Sequence, residues 1–318
     1  MNHFFKKYIK TVLKALVATT LAAEILGCSS LSLSDGRDDF SDSNKSSALH
    51  AKEVSPKELK AAAKESPKVA IILGPGGYKA FAHTGVIKEL LRKNIPIHKI
   101  IGVEWGALVA GLYAHHGQIN EVEWKLYKLE KSDLNSSNFF GVKKLTNSVK
   151  VLDSFLKENL EAIDVSRSIV PFSCPSLNVD KSSLHFQLSG PLYKVVENCL
   201  AYPPLLTSES SFVAGVFGLE DAVRNLKANG FNIIIFVNVL GDDALFDNAT
   251  LKTELATRVL WSEVRREVWK TKSMVTDVID VDTRATKITD FESRKAMAAT
   301  SEVAGAEAAN RLMNKYGF

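Results

Sequence analysis

Two short glycine-rich stretches hold the residues most able to do chemistry. The first reads Gly74-Pro75-Gly76-Gly77-Tyr78-Lys79 and runs into Ala82-His83-Thr84-Gly85-Val86; the second reads Gly102-Val103-Glu104-Trp105-Gly106. A glycine-rich turn leading from a strand into a helix can aim backbone N–H groups at an oxyanion or a phosphate, although tight turns of this kind also need glycine for steric reasons alone. The second stretch has the G-x-S-x-G spacing of a nucleophile elbow, a sharp strand-to-helix turn that lifts one side chain above the sheet. Glu104 stands in its middle place. The first stretch lacks the Gly-Lys-Ser/Thr ending of a P-loop, so it fits an oxyanion loop better than a nucleotide cradle. Nothing in the sequence calls for a metal, a nucleotide, a nicotinamide or any other cofactor.

Both turns sit where a parallel sheet would place them. Residues 69–73 are a short apolar run, a buried strand; residues 82–93 follow with a helical apolar period. Residues 97–103 read as a second strand and 107–115 as a second helix. Further on, 219–227 is helix-like and 231–240 contains Ile-Ile-Ile-Phe-Val-Asn-Val, a strand apolar on both faces. Strands alternating with helices imply a mainly parallel sheet covered by helices. Residues 118–169 are more polar and mostly helical in pattern, and 258–270 and 295–316 read as closing helices.

These stretches, in this order, resemble the patatin-like phospholipase family. That family opens with a strand, a G-G-G-x-R oxyanion loop, a helix containing H-x-G-V, and a second strand entering the G-x-S-x-G elbow. The likeness continues through Pro171-Phe172-Ser173-Cys174 and Ser189-Gly190-Pro191-Leu192, and Asn198 to Pro204 is similar to the family's A-S-x-A-x-P segment. Phe212-Val213-Ala214-Gly215-Val216 is similar to the stretch that holds its D-G motif. The resemblance runs from about Lys68 to Leu240, more loosely to the end. It implies a three-layer α/β/α fold over residues 68–318 and a serine acyl hydrolase working through a Ser–Asp dyad.

The chemistry is where this chain departs. Glu104 takes the place of the nucleophilic serine and Ala214 that of the dyad aspartate. A carboxylate is a poor nucleophile towards an unactivated ester and would repel a developing oxyanion. Trp105 is bulky enough to fill an acyl pocket, and Pro75 removes one N–H donor from the oxyanion loop. Gly74, Gly76, Gly77 and Lys79 remain of that loop, and Gly102 and Gly106 of the elbow. The resemblance then implies a scaffold without catalysis, a module for a lipid, an acyl chain or a protein partner. The alternative is an active acyl hydrolase with a rewired site, drawing on Ser208, Ser210 or Ser211 with Glu220 or Asp221. Glu104 is expected to form an ion pair with Lys79, since a buried carboxylate requires a partner; activation of a water is the other reading. His83 is expected to be a packed structural histidine, His115-His116 a solvated helix end, and Trp261 and Trp269 the core face of one helix.

The N-terminus reads as a targeting segment. Lysines and aromatics over residues 3–14 precede an apolar run from Ala15 to Gly27, too short to span a bilayer. Ile25-Leu26-Gly27-Cys28 resembles the lipobox of bacterial lipoproteins. The resemblance implies a signal peptide over 1–27, lipidation at Cys28, and a membrane-anchored, exported protein. Ser29 is similar to the pattern that sorts to the outer membrane, facing the periplasm. Residues 28–67 are the lipidated cysteine and a Ser-rich tether, with a short helix over 57–65. As flexible coil the tether would hold the domain on the order of 35 Å from the lipid.

The net charge of +4 comes mostly from Lys6, Lys7, Lys10 and Lys14, opposed there only by Glu24. The remainder is close to neutral, which excludes an electrostatic case for nucleic acid. With Cys28 lipidated, Cys174 and Cys199 remain. A disulfide is open to them in an oxidising compartment, but two buried free thiols are expected, because nothing in the spacing places them together.

Overall fold

The computed structural model describes residues 67–134, 147–246 and 255–318. The expected signal peptide, the tether and the helix over 57–65 lie outside the described residues. The first strand, β1 (Val69–Leu73), is buried at every position, as a central strand covered on both faces must be. After it come α1 (His83–Arg92), β2 (Lys99–Gly102), α2 (Trp105–His116) and α3 (Ile119–Lys128). A two-residue strand β3 (Asn147–Ser148) and α4 (Asp153–Leu160) lead to β4 (Phe172–Asn178), β5 (Ser183–Gln187) and α5 (Leu192–Leu200). β6 (Leu206–Thr207), β7 (Phe212–Ala214), α6 (Leu219–Ala228) and β8 (Ile233–Asn238) follow. The chain closes with α7 (Leu255–Lys272), β9 (Asp277–Asp280) and α8 (Arg294–Tyr316). Lys64–Phe318 form one compact unit.

The main sheet has the order β5-β4-β2-β1-β8-β9, with β7 also paired to β4, while β3 and β6 make a separate small pair. β1 pairs in parallel with β2 on one side and β8 on the other, so that Leu73 lies level with both Gly102 and Val237. β4 and β9 extend the sheet in parallel, and β5 and β7 are antiparallel to β4. The strand order therefore diverges at β1. In open α/β sheets the crevice at the carboxyl ends of the strands flanking such a point is where ligands sit. Both glycine-rich turns open into it.

The two faces of β1 belong to two cores. Val69, Ile71 and Leu73 pack with Val86 and Ile87 of α1, Leu108 and Leu112 of α2, Val196 of α5 and Leu312 of α8. Ala70 and Ile72 pack with Val223 and Leu226 of α6 and with Trp261, Val264 and Val268 of α7. This is a three-layer α/β/α arrangement around a mainly parallel sheet. No helix among the described residues is long and apolar enough to cross a membrane.

Three expectations are corrected. Cys174 on β4 and Cys199 on α5 are joined in a disulfide across 25 residues of sequence, with their Cα atoms 6.2 Å apart. α5 packs against β4, a tertiary contact that the spacing does not reveal. Trp261 is fully buried, but Trp269 is 54 % exposed. Eight residues along a helix turn the side chain by about 80°, so only one of the two faces the core. The histidine pair is not solvated: His116 Nε2 lies 2.9 Å from the Asn159 carbonyl and its Nδ1 3.2 Å from Glu121, pinned between α2, α3 and α4.

Candidate active site

The elbow is built by the backbone. Glu104 has φ 57° and ψ −129°, a left-handed conformation unusual for a residue with a side chain. Val103 N–H donates to the Leu73 carbonyl at 3.0 Å, Gly106 N–H to the Val103 carbonyl at 3.0 Å, and Ala107 N–H to the Glu104 carbonyl at 2.8 Å. The turn is thus tied to β1 below and to the first turn of α2 above. A Cβ on Gly106 would lie 2.6 Å from the Leu73 carbonyl oxygen, which is why the elbow requires glycine there. Gly102 faces the same crowding from the Gly106 carbonyl at 2.4 Å.

The oxyanion loop curls over the elbow. Gly74 N–H donates to the Val237 carbonyl at 3.0 Å and Tyr78 N–H to the Ile288 carbonyl at 2.8 Å, so the loop is pinned at both ends. Gly77 has φ 57°, and a Cβ there would lie 2.5 Å from the Ile288 oxygen. Held in this way, Gly76 and Gly77 present their N–H groups to one point. That point is occupied by Glu104: its Oε2 accepts from Gly76 N–H at 3.1 Å and from Gly77 N–H at 2.8 Å. Its backbone also caps α2, whose amide dipoles favour a negative charge at this end.

The carboxylate is fully buried, and its Oε1 has no hydrogen-bond partner in the structure. Burial pushes the Glu104 carboxyl up to about 7, against the pull of the Trp105, Gly76 and Gly77 N–H groups. Two phenols feel it in turn. Tyr78 and Tyr202 are both pushed well above the usual tyrosine range, first by burial and second by the charge on Glu104. Trp105 is 1 % exposed and packs edge-on to Tyr78 with ring centroids 4.8 Å apart. Phe81 and Phe291 close the same aromatic group. The sequence reading missed Tyr78, Tyr202 and Phe291 as neighbours of the site. Tyr78 lies inside the quoted loop and Tyr202 inside the quoted 198–204 segment, but neither spacing nor type marks a buried phenol.

The expected Glu104–Lys79 ion pair does not form. Lys79 is fully buried, but its Nζ donates to the Leu240 carbonyl at 3.0 Å and lies 3.8 Å from Asp243 Oδ1. Burial pushes this amine down to about 8, partly offset by Asp243. Backbone donors stand in for a cation at Oε2 alone, while Oε1 stays unpaired, and burial therefore still raises the carboxyl. Ala214 ends β7 opposite Ser176 of β4, and its N–H donates to the Ala201 carbonyl at 2.9 Å. It is buried in the same apolar cluster as Val103 and Tyr202, with a methyl group that can take no proton.

The alternative nucleophiles are placed elsewhere. Ser208 and Ser210 bond each other at 3.0 Å in an exposed turn, and the Ser211 hydroxyl donates to Asp180. Glu220 pairs with Lys270 and Arg224, and Asp221 lies 3.8 Å from Arg224. None of these serines is bonded to Glu220 or Asp221 in the structure. His83 is fully buried, its Nε2 2.9 Å from the Gly74 carbonyl, and burial pushes it down to about 4, so it is neutral and holds the loop. No group of three His, Cys, Asp or Glu among the described residues could hold a metal ion.

Comparison with known proteins identifies the family. The family profile described as patatin-like phospholipase matches residues 71–312. Lysophospholipase NTE1 of Mycosarcoma maydis is 24 % identical over 238 residues, covering 71 % of this chain and 12 % of its own length. Lysophospholipase nte1 of Neurospora crassa is 24 % identical over 54 % of this chain and 12 % of its own. An uncharacterized NTE family protein of Mycobacterium tuberculosis strain H37Rv is 26 % identical over 48 % of this chain and 42 % of its own. The chain thus spans less than half the length of each of these relatives. Among solved structures, VipD from Legionella pneumophila superposes with a TM-score of 0.45 at 12 % identity, over 79 % of this chain and 67 % of that one.

Proposed function

The chain belongs to the patatin-like phospholipase family, and from that premise we propose that it is a catalytically silent member, an envelope lipoprotein that works by binding rather than by turnover. The observation that carries this reading is the position of the Glu104 carboxylate on the Gly76 and Gly77 N–H groups. An ester carbonyl would need those same donors as its oxygen becomes negative. The chain fills them with its own oxygen. The serine that would attack and the aspartate that would take its proton are both missing, at Glu104 and Ala214. The relatives named as lysophospholipases share the scaffold at low identity, and their activity does not transfer to these two positions.

The buried aromatic group of Tyr78, Phe81, Trp105 and Phe291 favours a closed site. On that ground a protein or membrane surface is a better ligand for this molecule than a single acyl chain in the old pocket. Export and anchoring through Cys28 belong to the same proposal. The Cys174–Cys199 disulfide supports it, since disulfides persist in oxidising compartments and are rare in the cytosol.

The test is esterase and phospholipase turnover by the full-length chain beside Glu104→Ser and Glu104→Ser/Ala214→Asp. The native chain is expected to be inert and the double variant to gain measurable hydrolysis, because the elbow and the two donors are already in place. Robust turnover by the native chain, unchanged in Glu104→Gln, would sink the proposal and favour a rewired acyl hydrolase.

A further inference from the structure

The helix α7 is amphipathic on the side that faces the protein and unusual on the side that does not. Thr257, Trp261, Val264, Val268 and Thr271 are buried. The opposite pole of a surface helix is ordinarily polar. Here it carries Leu255, Val259 and Trp269, exposed by 70 %, 54 % and 54 %. At 100° per residue these three fall within about 80° of one another, with Ser262 and Arg266 between them and Lys270 about 20° beyond Val259. The indole in particular has an apolar body and a single N–H donor, the combination that concentrates at the boundary between water and acyl chains.

The charges complete the pattern. α7 carries five basic residues against two acidic ones, while the chain beyond its first 27 residues is close to neutral. Arg266 and Lys270 stand on the apolar pole itself, and Arg265 and Lys272 on one flank; Glu263 and Glu267 lie on the other. Arg266 pairs with Glu263, Lys270 with Glu220 and Lys272 with Asp280. Exposed pairs of this kind are screened by water and hold their partners weakly, so each cation can exchange its carboxylate for a phosphate at little cost. An apolar, Trp-bearing stripe edged with exchangeable cations matches an anionic bilayer surface, in which helices lie with the apolar face at the headgroup boundary.

We propose that the outward pole of α7 docks on a phospholipid surface that carries anionic headgroups, with Trp269, Val259 and Leu255 as the inserted residues and Arg266 and Lys270 as the headgroup contacts. This rests on the reading that the chain works at a membrane, and gives the folded domain a contact of its own beyond any anchor.

The experiment is quenching of tryptophan emission by brominated lipid, with the full-length chain reconstituted on vesicles of phosphatidylglycerol or of phosphatidylcholine alone. Of the 4 tryptophans, Trp105 and Trp261 are buried, so the exposed reporters are Trp124 and Trp269. The expected result is loss of emission on phosphatidylglycerol that persists in Trp124→Phe and disappears in Trp269→Phe, with weaker loss in Arg266→Gln/Lys270→Gln. Emission unaffected by the brominated lipid would overturn the proposal. So would quenching unchanged in Trp269→Phe, or equally strong on the uncharged vesicles; no quenching on either vesicle is the result expected if this pole receives a protein instead. Turnover does not enter the readout, so failure here leaves the reading of Glu104 standing, and hydrolysis by the native chain would leave this one standing.

Discussion

Glu104 is held in a buried site by donors that favour its charged form and by burial that favours its neutral form, and burial prevails. The carboxyl of the unfolded chain loses its proton near 4.5, that of the folded chain only near about 7. Between those values the unfolded chain binds fewer protons than the folded one, so stability falls as the pH rises. The contribution is complete below about 4.5 and gone once the pH has passed through the folded value. Glu104→Gln keeps an oxygen for the Gly76 and Gly77 N–H groups and removes the titration. It is expected to gain stability over the native chain with rising pH, by a few kcal/mol at pH 8.5, on the order of 1.4 kcal/mol per pH unit of displacement. Thermal melts of both proteins at pH 5 and pH 8.5 check this; a constant difference between the two would mean that Glu104 titrates as an exposed carboxylate does. His83 titrates in the opposite sense, its neutral form favoured by burial. It is common to both proteins, so it cancels in the comparison. The position of Glu104 in the elbow was legible from five residues of sequence. Its partner was not, because a carboxylate's need for compensation names no donor. A cation or a pair of backbone amides can take that role, and only the fold of the loop decides between them.

At the scale of elements, the elbow and the disulfide make opposite demands on the sequence. The elbow holds two elements so close that one methyl group is too many. Gly106→Ala would set a Cβ 2.6 Å from the Leu73 oxygen and 2.9 Å from that of Gly74, both fixed in the sheet and the loop. A loss on the order of 3 kcal/mol is expected, read as a lower denaturant midpoint with an unchanged slope. The disulfide instead joins elements far apart in the chain, closing a loop across 25 residues. Cys174→Ala/Cys199→Ala is expected to lose roughly 3 kcal/mol by the loop-entropy argument, and reductant should lower the native midpoint but not the variant's. The parallel core was readable from the sequence because β1, β2 and β8 are apolar runs that end in, or run directly into, glycine or asparagine, each next to a helix. β4 escaped because Pro175 interrupts it, and proline is rare inside a ladder. β5 escaped because no position in it is fully buried. β9 has only four residues, two of them aspartates, and takes its place through pairing with β8. Pairing partners of that kind are tertiary information and leave no local signal.

For the whole molecule the question is where the chain works, and on the proposed reading Cys28 decides it. The apolar run before it ends in Leu26-Gly27, and the first described strand begins at Val69, so the sequence between them is long enough to separate an anchor from a domain. One acyl chain gives reversible membrane binding; several buried chains, at roughly 0.8 kcal/mol per CH₂, make release negligible. The native chain expressed in a bacterium is therefore expected to incorporate an alkyne-tagged palmitate, to fractionate with membranes, and to resist extraction by high salt. Cys28→Ala should incorporate none and run as a larger, uncleaved form, because on the proposed reading the signal is cut only before a lipidated cysteine. It should also separate the two membrane contacts proposed for the native protein. If α7 docks as proposed, the Cys28→Ala chain leaves the membrane fraction in salt, since headgroup contacts are screened within about 10 Å at 0.1 M ionic strength, whereas the native chain stays. Palmitate incorporation that survives Cys28→Ala would remove the anchor from this residue, and with it the account of residues 28–67 as a tether.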